Sequence, residues 1–328
     1  MSVTTNGNAA HGPLVPELSI VVPTRPGVPE WWRRQIRDVA GEIETIVVHA
    51  PGEARLELGD WRVVELVSPI RGEVAQRLTG LLSARGRFIL SLNCDESVHP
   101  RVLDLARAYF ARFPTSWVLR LTQEAHPYGS AEAMTRPWPA LPDVATLPET
   151  ANEDRFHRDA DCLMRAPIAC MDKPVDWGSL VRGRRNQRGP HMENFDKRVW
   201  RRDVVQPALE DLARMLPLAG PIKYVPFWTL DRLLGLYVQA LHYERGRTIG
   251  HWLPLSAAQI RMEDNPPHER RQGRVYLAAE ILLLRRFPRR GYLWDLVLGH
   301  LHALGREALR SAPRRTGHAP QRPAERGS

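Results

Sequence analysis

The chain has 328 residues, of which 43% are hydrophobic and 25% are charged, so it is long enough to bury a large core in one or two domains. No apolar run approaches the roughly 20 residues that a membrane-spanning helix needs, and residues 1–16 lack the pattern of a signal peptide. The three cysteines form neither a CxxC pair nor a disulfide framework. We therefore expect a cytoplasmic protein with reduced cysteines.

The net charge of +9 is concentrated at the carboxyl end of the chain. Residues 270–328 contain 13 arginines and four acidic residues, so this stretch alone accounts for the whole excess. A basic surface favours an anionic partner such as the inner face of a membrane, and we expect a peripheral contact there. The alternative interpretation is a solvated helix face followed by a basic tail. Richness in arginine alone is weak evidence for nucleic acid, and we expect no nucleic-acid partner.

Strand and helix patterns alternate between two polar termini, residues 1–16 and 311–328, which are predicted to be disordered. The first strand, Leu18–Pro23, is a continuous apolar run, as expected for a buried parallel strand. The further predicted strands are Glu44–His49, Trp61–Val67 and Arg87–Leu92, and the predicted helices are Pro29–Ala40, Gly72–Arg85 and Val102–Phe113. This alternation predicts an α/β fold with a mostly parallel sheet flanked by helices.

The second half of the chain is less regular. Residues 126–149 contain five prolines and are predicted to form a long loop. A helix is predicted over Asp196–Leu216, with an apolar stripe that starts at Trp200. The region from about residue 221 to residue 310 has mainly helical, amphipathic patterns. We therefore expect an α/β domain over residues 17–216, followed by a mainly helical carboxyl-terminal region over residues 217–310.

Polar residues follow the first and fourth predicted strands, where a parallel sheet forms its ligand crevice. Pro23–Arg25 follow the first strand, and Asn93–Glu96 follow the fourth. A carboxylate at this place can hold a divalent metal ion, which in turn neutralises a diphosphate. Alternatively, Asp95 or Ser97 caps the helix that starts near Pro100.

These residues belong to a longer ordered set. The first strand closes with Val-Val-Pro-Thr, and a helix of the pattern G-x4-R-x2-G-x3-A-x-G, starting at Gly72, leads into a strand that ends Leu-Asn-Cys-Asp-Glu at Glu96. In order and spacing the set resembles the family 2 glycosyltransferases, closely over Leu18–Pro100 and loosely as far as Trp200. The resemblance implies a Rossmann-like GT-A fold. It also implies the metal-dependent transfer of a sugar, with inversion, from a UDP- or GDP-linked donor to an acceptor hydroxyl.

The same resemblance implies roles for individual residues. The residues expected to bind the donor are Pro23, Thr24, Arg25, Arg77, Asn93 and Asp95. Asp95, with Glu96, is expected to coordinate Mn²⁺ or Mg²⁺ on the diphosphate, where the metal would take up charge on the departing phosphate. The acceptor is unknown, and a lipid-linked acceptor or a polysaccharide is expected.

Three residues depart from the family pattern. His49 follows the second strand, where an acid is common, and Asn93 replaces the first aspartate of the strand-end tetrad. Glu193–Asp196 resembles an element whose second residue is the catalytic base, but that residue here is Asn194, and an amide cannot act as a base. Glu193 or Asp196 is then the expected catalytic residue. Two alternatives stay open: Asn194 caps a helix, or the chain is a non-catalytic protein that binds a nucleotide-sugar or a partner.

Overall fold

A computed structural model describes residues 15–151, 161–183, 191–215, 227–254, 258–264 and 277–311. The described strands are β1 Leu18–Pro23, β2 Ile43–His49, β3 Val63–Val67, β4 Phe88–Ser91, β5 Glu96–Val98, β6 Val118–Arg120, β7 Gln123–His126, β8 Glu149–Thr150, β9 Leu163–Pro167, β10 Arg198–Arg201, β11 Thr248–Trp252 and β12 Ile260–Glu263. The described helices are α1 Glu30–Asp38, α2 Glu73–Ser83, α3 Val102–Arg112, α4 Ala131–Thr135, α5 Ser179–Arg182, α6 Arg202–Met215, α7 Phe227–Leu241, α8 Leu277–Arg286 and α9 Gly291–Ser311. The two termini predicted to be disordered are residues 1–16 and 311–328. Of these, residues 1–14 and 312–328 lie outside the described residues.

The described part of the chain contains a central sheet of nine strands in the order β3-β2-β1-β4-β10-β6-β11-β9-β8. The first four of these strands pair in parallel, whereas β10 is antiparallel to both of its neighbours. The side chains of β1 are shared between two cores: Val21 packs with α2, α6 and α7, and Ile20 and Val22 pack with α1 and α3. Helices thus cover both faces, which is why β1 is apolar except for Ser19, whose hydroxyl donates a hydrogen bond to Glu44. The predicted α/β class with a mostly parallel sheet is confirmed.

Two strands occur in the region that was predicted to be mainly helical. β11 lies between β6 and β9 in the central sheet, and β12 lies between β5 and β7 in a smaller sheet. The pattern of β11 is inconspicuous because its five residues include Gly250 and His251 among the apolar side chains. Helices α7, α8 and α9 join the same hydrophobic core as α2 and α6. The boundary expected at residue 216 therefore does not separate two cores.

The helix predicted from Asp196 begins at Arg202 instead. Arg198–Arg201 form β10, which pairs with β4 and β6. Trp200 lies four residues before Val204, so it continued the helical spacing by coincidence. In the structure its ring stacks on Phe195, with 5.2 Å between centroids. The interpretation of Asn194 as a helix cap is therefore wrong, because a strand and not a helix follows it.

The close approach of β11 to β6 leads to a testable prediction. A Cβ atom on Gly250 would lie 1.9 Å from the carbonyl oxygen of Val118, a backbone atom in the strand paired with β11. We expect Gly250→Ala to lower the free energy of unfolding by about 1–3 kcal/mol, measured by urea denaturation. The control is Gly305→Ala in α9, where no atom lies within 4 Å of the added Cβ. That variant should gain up to about 1 kcal/mol, and equal losses in both would contradict the placement of β11.

Of the helices that the structure describes, none combines the length and the hydropathy that a membrane span requires. The peripheral contact expected from the basic carboxyl end stays a prediction, as does the cytoplasmic location.

Candidate active site

The residues predicted to bind the donor lie together where β1 and β4 end. The guanidinium of Arg25, which follows β1, is 3.1 Å from the carboxylate of Asp95, which follows β4. The Arg25 side chain is 45% exposed and the Asp95 side chain 16%. Burial, followed by the neighbouring charge of Glu96, raises the pKa of Asp95. The site therefore presents a cation and a partly desolvated carboxylate at the carboxyl edge of the parallel strands, as the order of the motifs predicted.

Arg77 connects these residues to the rest of the site. It lies on α2, its side chain is 1% exposed, and its guanidinium donates to Asn93 Oδ1 at 2.6 Å and to the Ser91 hydroxyl. The same guanidinium lies 3.0 Å from Asp196 Oδ1 and 3.5 Å from Glu73 Oε1. Burial opposes the charge, but Asp196 and Glu73 together keep the pKa of Arg77 above its usual value. In the structure Arg77 contacts Asn93 and Asp196, and the donor contact expected of it stays a prediction.

Asp196 is the buried acid of this cluster. It precedes β10, its exposed fraction is 6%, and its partner across the cluster is Arg77. Burial raises the pKa of Asp196 to about 7, with Arg77 opposing and the carboxylate of Asp231 adding to the rise. A carboxyl group whose pKa lies near neutrality can take up a proton during a reaction and release it afterwards.

Glu193, the other predicted catalytic residue, lies in different surroundings. Its carboxylate is 3.0 Å from the guanidinium of Arg232 on α7, and it accepts a hydrogen bond from the hydroxyl of Tyr292 on α9. The Nε2 atom of His191 lies 3.5 Å from Oε1 of the same carboxylate. Glu193 therefore belongs to an ion-pair group among the carboxyl-terminal helices. Asp196 belongs to a separate group with Arg25, Arg77, Asn93 and Asp95, which we call the donor cluster.

Asp231 on α7 is a residue of the site that the sequence analysis missed. Its carboxylate accepts hydrogen bonds of 2.6 Å from the Asn194 side chain and from the backbone N–H groups of Phe195 and Asp196. These bonds fix the turn that presents Asp196 to Arg77. The one indication in the sequence was a pair of charged residues, Asp231 and Arg232, inside an otherwise uncharged helix.

The two acids predicted to bind a metal ion, Asp95 and Glu96, differ in their exposure to solvent and in the number of protein groups that already contact their carboxylates. Glu96 is 2% exposed on its side chain, and its oxygens contact Lys197 Nζ at 2.8 Å, Asn93 Nδ2 at 2.7 Å and the Asn93 backbone N–H at 2.9 Å. Asp95 has only Arg25 as an ion-pair partner within the described chain and keeps some access to solvent. Among the described residues no group of three or more His, Cys, Asp or Glu side chains could hold a metal ion. A single carboxylate plus phosphate oxygens is a usual ligand set for Mg²⁺, so Asp95 fits that role and Glu96 does not.

The interpretation of Asp95 as a helix cap is wrong. Helix α3 begins after Arg101, and the side chain that hydrogen-bonds to the Arg101 N–H is that of His99, not that of Asp95. Asp95 instead lies in the turn between β4 and β5, so its position is not accounted for by capping.

His49 replaces the acid that is common after the second strand, and it is buried. The ring is 1% exposed, with Nε2 at 2.8 Å from Glu65 and Nδ1 at 3.0 Å from the hydroxyl of Thr24. Glu65 also accepts hydrogen bonds from the backbone N–H groups of Leu56 and Leu58. Against the effect of burial, these bonds lower the pKa of Glu65. His49 therefore connects Thr24, which follows β1, to Glu65 on β3, and through Glu65 to the loop after β2. Both ring nitrogens contact protein groups.

No family model matches the sequence, and no curated protein matches it. Solved structures similar to this chain include those of S. aureus TarS residues 1–349. The complex of TarS with UDP-GlcNAc has a TM-score of 0.49 and 12% identity, covering 87% of this chain and 71% of that one. A second TarS structure has a TM-score of 0.47 and 13% identity over 90% and 72% of the two chains, and the complex with UDP has 0.44 and 13% over 87% and 70%. Identities this low assign no residue, so the roles below depend on the geometry of this chain.

Proposed function

We propose that the chain is a glycosyltransferase that moves a sugar from a nucleoside diphosphate donor, UDP- or GDP-linked, to an acceptor hydroxyl. The observation that carries the proposal is the convergence of the ordered motif residues at one edge of the sheet. Arg25 meets Asp95 there, and Arg77 joins Asn93 to Asp196. Separate strands and a helix have thus brought a cation, a partly exposed carboxylate and a buried acid with a pKa near 7 to the place where α/β sheets bind nucleotides.

The diphosphate would lie against Arg25, with Lys197 as a second cation nearby. The Lys197 side chain is 17% exposed and paired with Glu96. Charge-assisted hydrogen bonds from these groups stabilise the negative charge that grows on the diphosphate as the sugar leaves it. Asp95 is the residue that would hold Mn²⁺ or Mg²⁺, which when bound supplies Lewis acidity at the diphosphate.

Asp196 would act as the general base. The acceptor oxygen forms a bond to the anomeric carbon while the bond from that carbon to the diphosphate oxygen breaks, and the hydroxyl proton passes to the Asp196 carboxylate. A single displacement of this kind inverts the anomeric centre. The pKa of about 7 suits the task, because an effective general base has a pKa near the working pH. Asp231 positions the base through the backbone N–H of Asp196.

The alternative is a non-catalytic protein that binds a nucleotide-sugar or a partner. The observation in its favour is Asn194, an exposed amide at the place where the family pattern has its base. Release of nucleoside diphosphate from a bound donor separates the two proposals, since a binding protein releases none. The class of acceptor, lipid-linked or polysaccharide, stays a prediction.

Calorimetric titration with UDP, GDP, ADP and CDP, with and without Mn²⁺, tests the donor site. We expect one nucleotide to bind with Mn²⁺, and Asp95→Ala to weaken that binding at least about tenfold, because the metal loses its protein ligand. Asp104→Ala, which removes an exposed carboxylate of α3, is the control and should bind like the wild type. If no nucleotide binds under either condition, the proposed function is wrong. If binding is equally tight without metal, only the metal dependence is wrong.

A further inference from the structure

A group of apolar side chains is exposed where α5 lies against the second half of α9. The group consists of Trp177, Leu180, Val181, Leu301, Leu304 and Leu309, and we call it the α5–α9 surface. Trp177, Val181 and Leu309 are between 69% and 80% exposed. Single exposed apolar residues are common on folded proteins, whereas a group of them on neighbouring elements indicates a contact site.

Contacts between the two helices bring these residues together. The backbone N–H of Asp176 donates to Asp295 Oδ1 at 2.7 Å, and Nδ1 of His302 lies 3.0 Å from the carbonyl oxygen of Leu180. α5 therefore lies along α9 between Asp295 and His302. Leu309 comes about two turns after His302, so it lies on the same side of α9 as α5 and beyond its end.

The second half of α9 is amphipathic. With about 3.6 residues per turn, Leu301, Leu304 and Leu309 fall within about 140° of the helix circumference. Arg306 lies outside this sector and is exposed. In the first half of the helix the apolar side chains, such as that of Leu293, are buried in the core, whereas these three leucines stay exposed in the described structure.

The charge around the α5–α9 surface is positive. Arg182 at the end of α5 is 50% exposed and lies 3.3 Å from Asp176. In the sequence, residues 176–190 hold four arginines and one aspartate, and residues 299–328 hold six arginines and two glutamates. An apolar surface in basic surroundings complements an anionic membrane, whose head groups attract arginine and whose acyl chains accept leucine and tryptophan. A second copy of this chain would bring the same positive charges together, which opposes a dimer at this place.

We infer that the α5–α9 surface docks the chain on a membrane that contains anionic lipids. Trp177 and Leu309 enter the boundary between head groups and acyl chains, and Arg182 and Arg306 lie among the head groups. Peripheral binding generally takes two signals of this kind, one apolar and one basic. No residue of the donor cluster belongs to the surface, so membrane binding does not depend on the proposed function.

Sedimentation of the full chain with lipid vesicles is the test. We expect binding to phosphatidylcholine vesicles that contain about 30% phosphatidylglycerol, at least about tenfold weaker binding to phosphatidylcholine alone, and weaker binding at about 0.5 M than at about 0.1 M salt. The double variant Trp177→Ser, Leu309→Ser should bind the anionic vesicles at least about tenfold more weakly, because two large apolar side chains no longer leave water. The double variant Arg182→Gln, Arg306→Gln should lose a similar factor, because two cations near the anionic surface are gone.

The controls replace residues of the same kind outside this surface. Trp61→Ser removes an exposed tryptophan that precedes β3. The double variant Arg34→Gln, Arg101→Gln removes one exposed arginine on α1 and one directly before α3. Both control variants should bind the anionic vesicles like the wild type.

Absence of binding to the anionic vesicles overturns the inference. An unchanged affinity of the Trp177→Ser, Leu309→Ser variant also overturns it, since charge alone would then explain the binding, and so does an equal loss in the controls. Light scattering without lipid tests the other occupant: a dimer that the same variant dissociates would make the surface a contact between two copies. Circular dichroism of each variant checks its folding, which we expect to be unchanged because the replaced side chains are exposed.

Discussion

Asp196→Asn should lower the rate of sugar transfer by about 10²–10⁴-fold and leave the affinity for the nucleotide close to that of the wild type. Asparagine keeps the size of the side chain but cannot accept the proton of the acceptor hydroxyl. Arg77 retains Glu73, Ser91 and Asn93 as partners, so the donor side of the cluster stays in place. The measurement is the initial rate of nucleoside diphosphate release at saturating donor, with water as acceptor where no sugar acceptor is known.

Glu193→Gln is the matched control for this substitution. It also replaces a carboxylate by an amide in the same short segment, but its partners are Arg232 and Tyr292, outside the donor cluster. We expect its rate to stay within a few fold of the wild type. A large loss in Glu193→Gln with none in Asp196→Asn would transfer the role of base to Glu193.

The pH dependence of the rate is a second test of Asp196 as the base. Because burial raises the pKa of Asp196 to about 7, the ionised base accumulates only as the pH rises through 7. The rate should fall about tenfold per pH unit below that value.

The free energy of unfolding should change with pH in the opposite sense to the rate. The unfolded chain releases this proton near the ordinary pKa of 3.8 and the folded chain near 7, so the folded chain binds the extra proton between these values. The contribution of Asp196 to stability therefore falls from about pH 4 to pH 7, and Asp196→Asn should remove this slope.

The fold of the first hundred residues was predictable because its strands are mostly apolar and its helices follow at regular intervals. β1, β2 and β4 are buried on both faces, so most of their side chains are apolar, and polar exceptions such as Ser19 and Glu44 are hydrogen-bonded to each other. β10 and β11 were not predictable in the same way. They are four and five residues long and pair with strands distant along the chain, so their formation depends on tertiary contacts that a local pattern does not contain.

The same limit applies to the site. That Arg25 would meet Asp95 followed from the rule that parallel strands bring their carboxyl ends together. The complete burial of Arg77 did not follow, since arginine on a helix is usually exposed and its buried partner Asp196 comes from a distant segment. Asp231 could not be assigned because it lies beyond the stretch that resembles any motif. Its role depends on the packing of α7 against the turn at Phe195.

Arg77→Met should have the largest effect on stability, a loss of about 3–5 kcal/mol in the free energy of unfolding. The substitution keeps much of the volume but removes the cation that compensates the buried carboxylate of Asp196. The measurement is denaturation by guanidinium chloride at pH 8, where Asp196 is ionised. Arg25→Met is the control, because that arginine also pairs with an aspartate but is 45% exposed, and its loss should cost less than about 1 kcal/mol.

Two further measurements separate the loss of charge compensation from a simple packing defect. At pH 5.5 Asp196 holds its proton in the wild type, so Arg77→Met should cost less there than at pH 8. The double variant Arg77→Met, Asp196→Asn should recover part of the stability lost at pH 8, since the uncompensated carboxylate is gone. A cost that is the same at both pH values, with no recovery in the double variant, would show that Arg77 acts through its packing. The coupling between Arg77 and Asp196 would then not be electrostatic, and a balance of burial against the charge of Arg77 would not account for the pKa of about 7 assigned to Asp196.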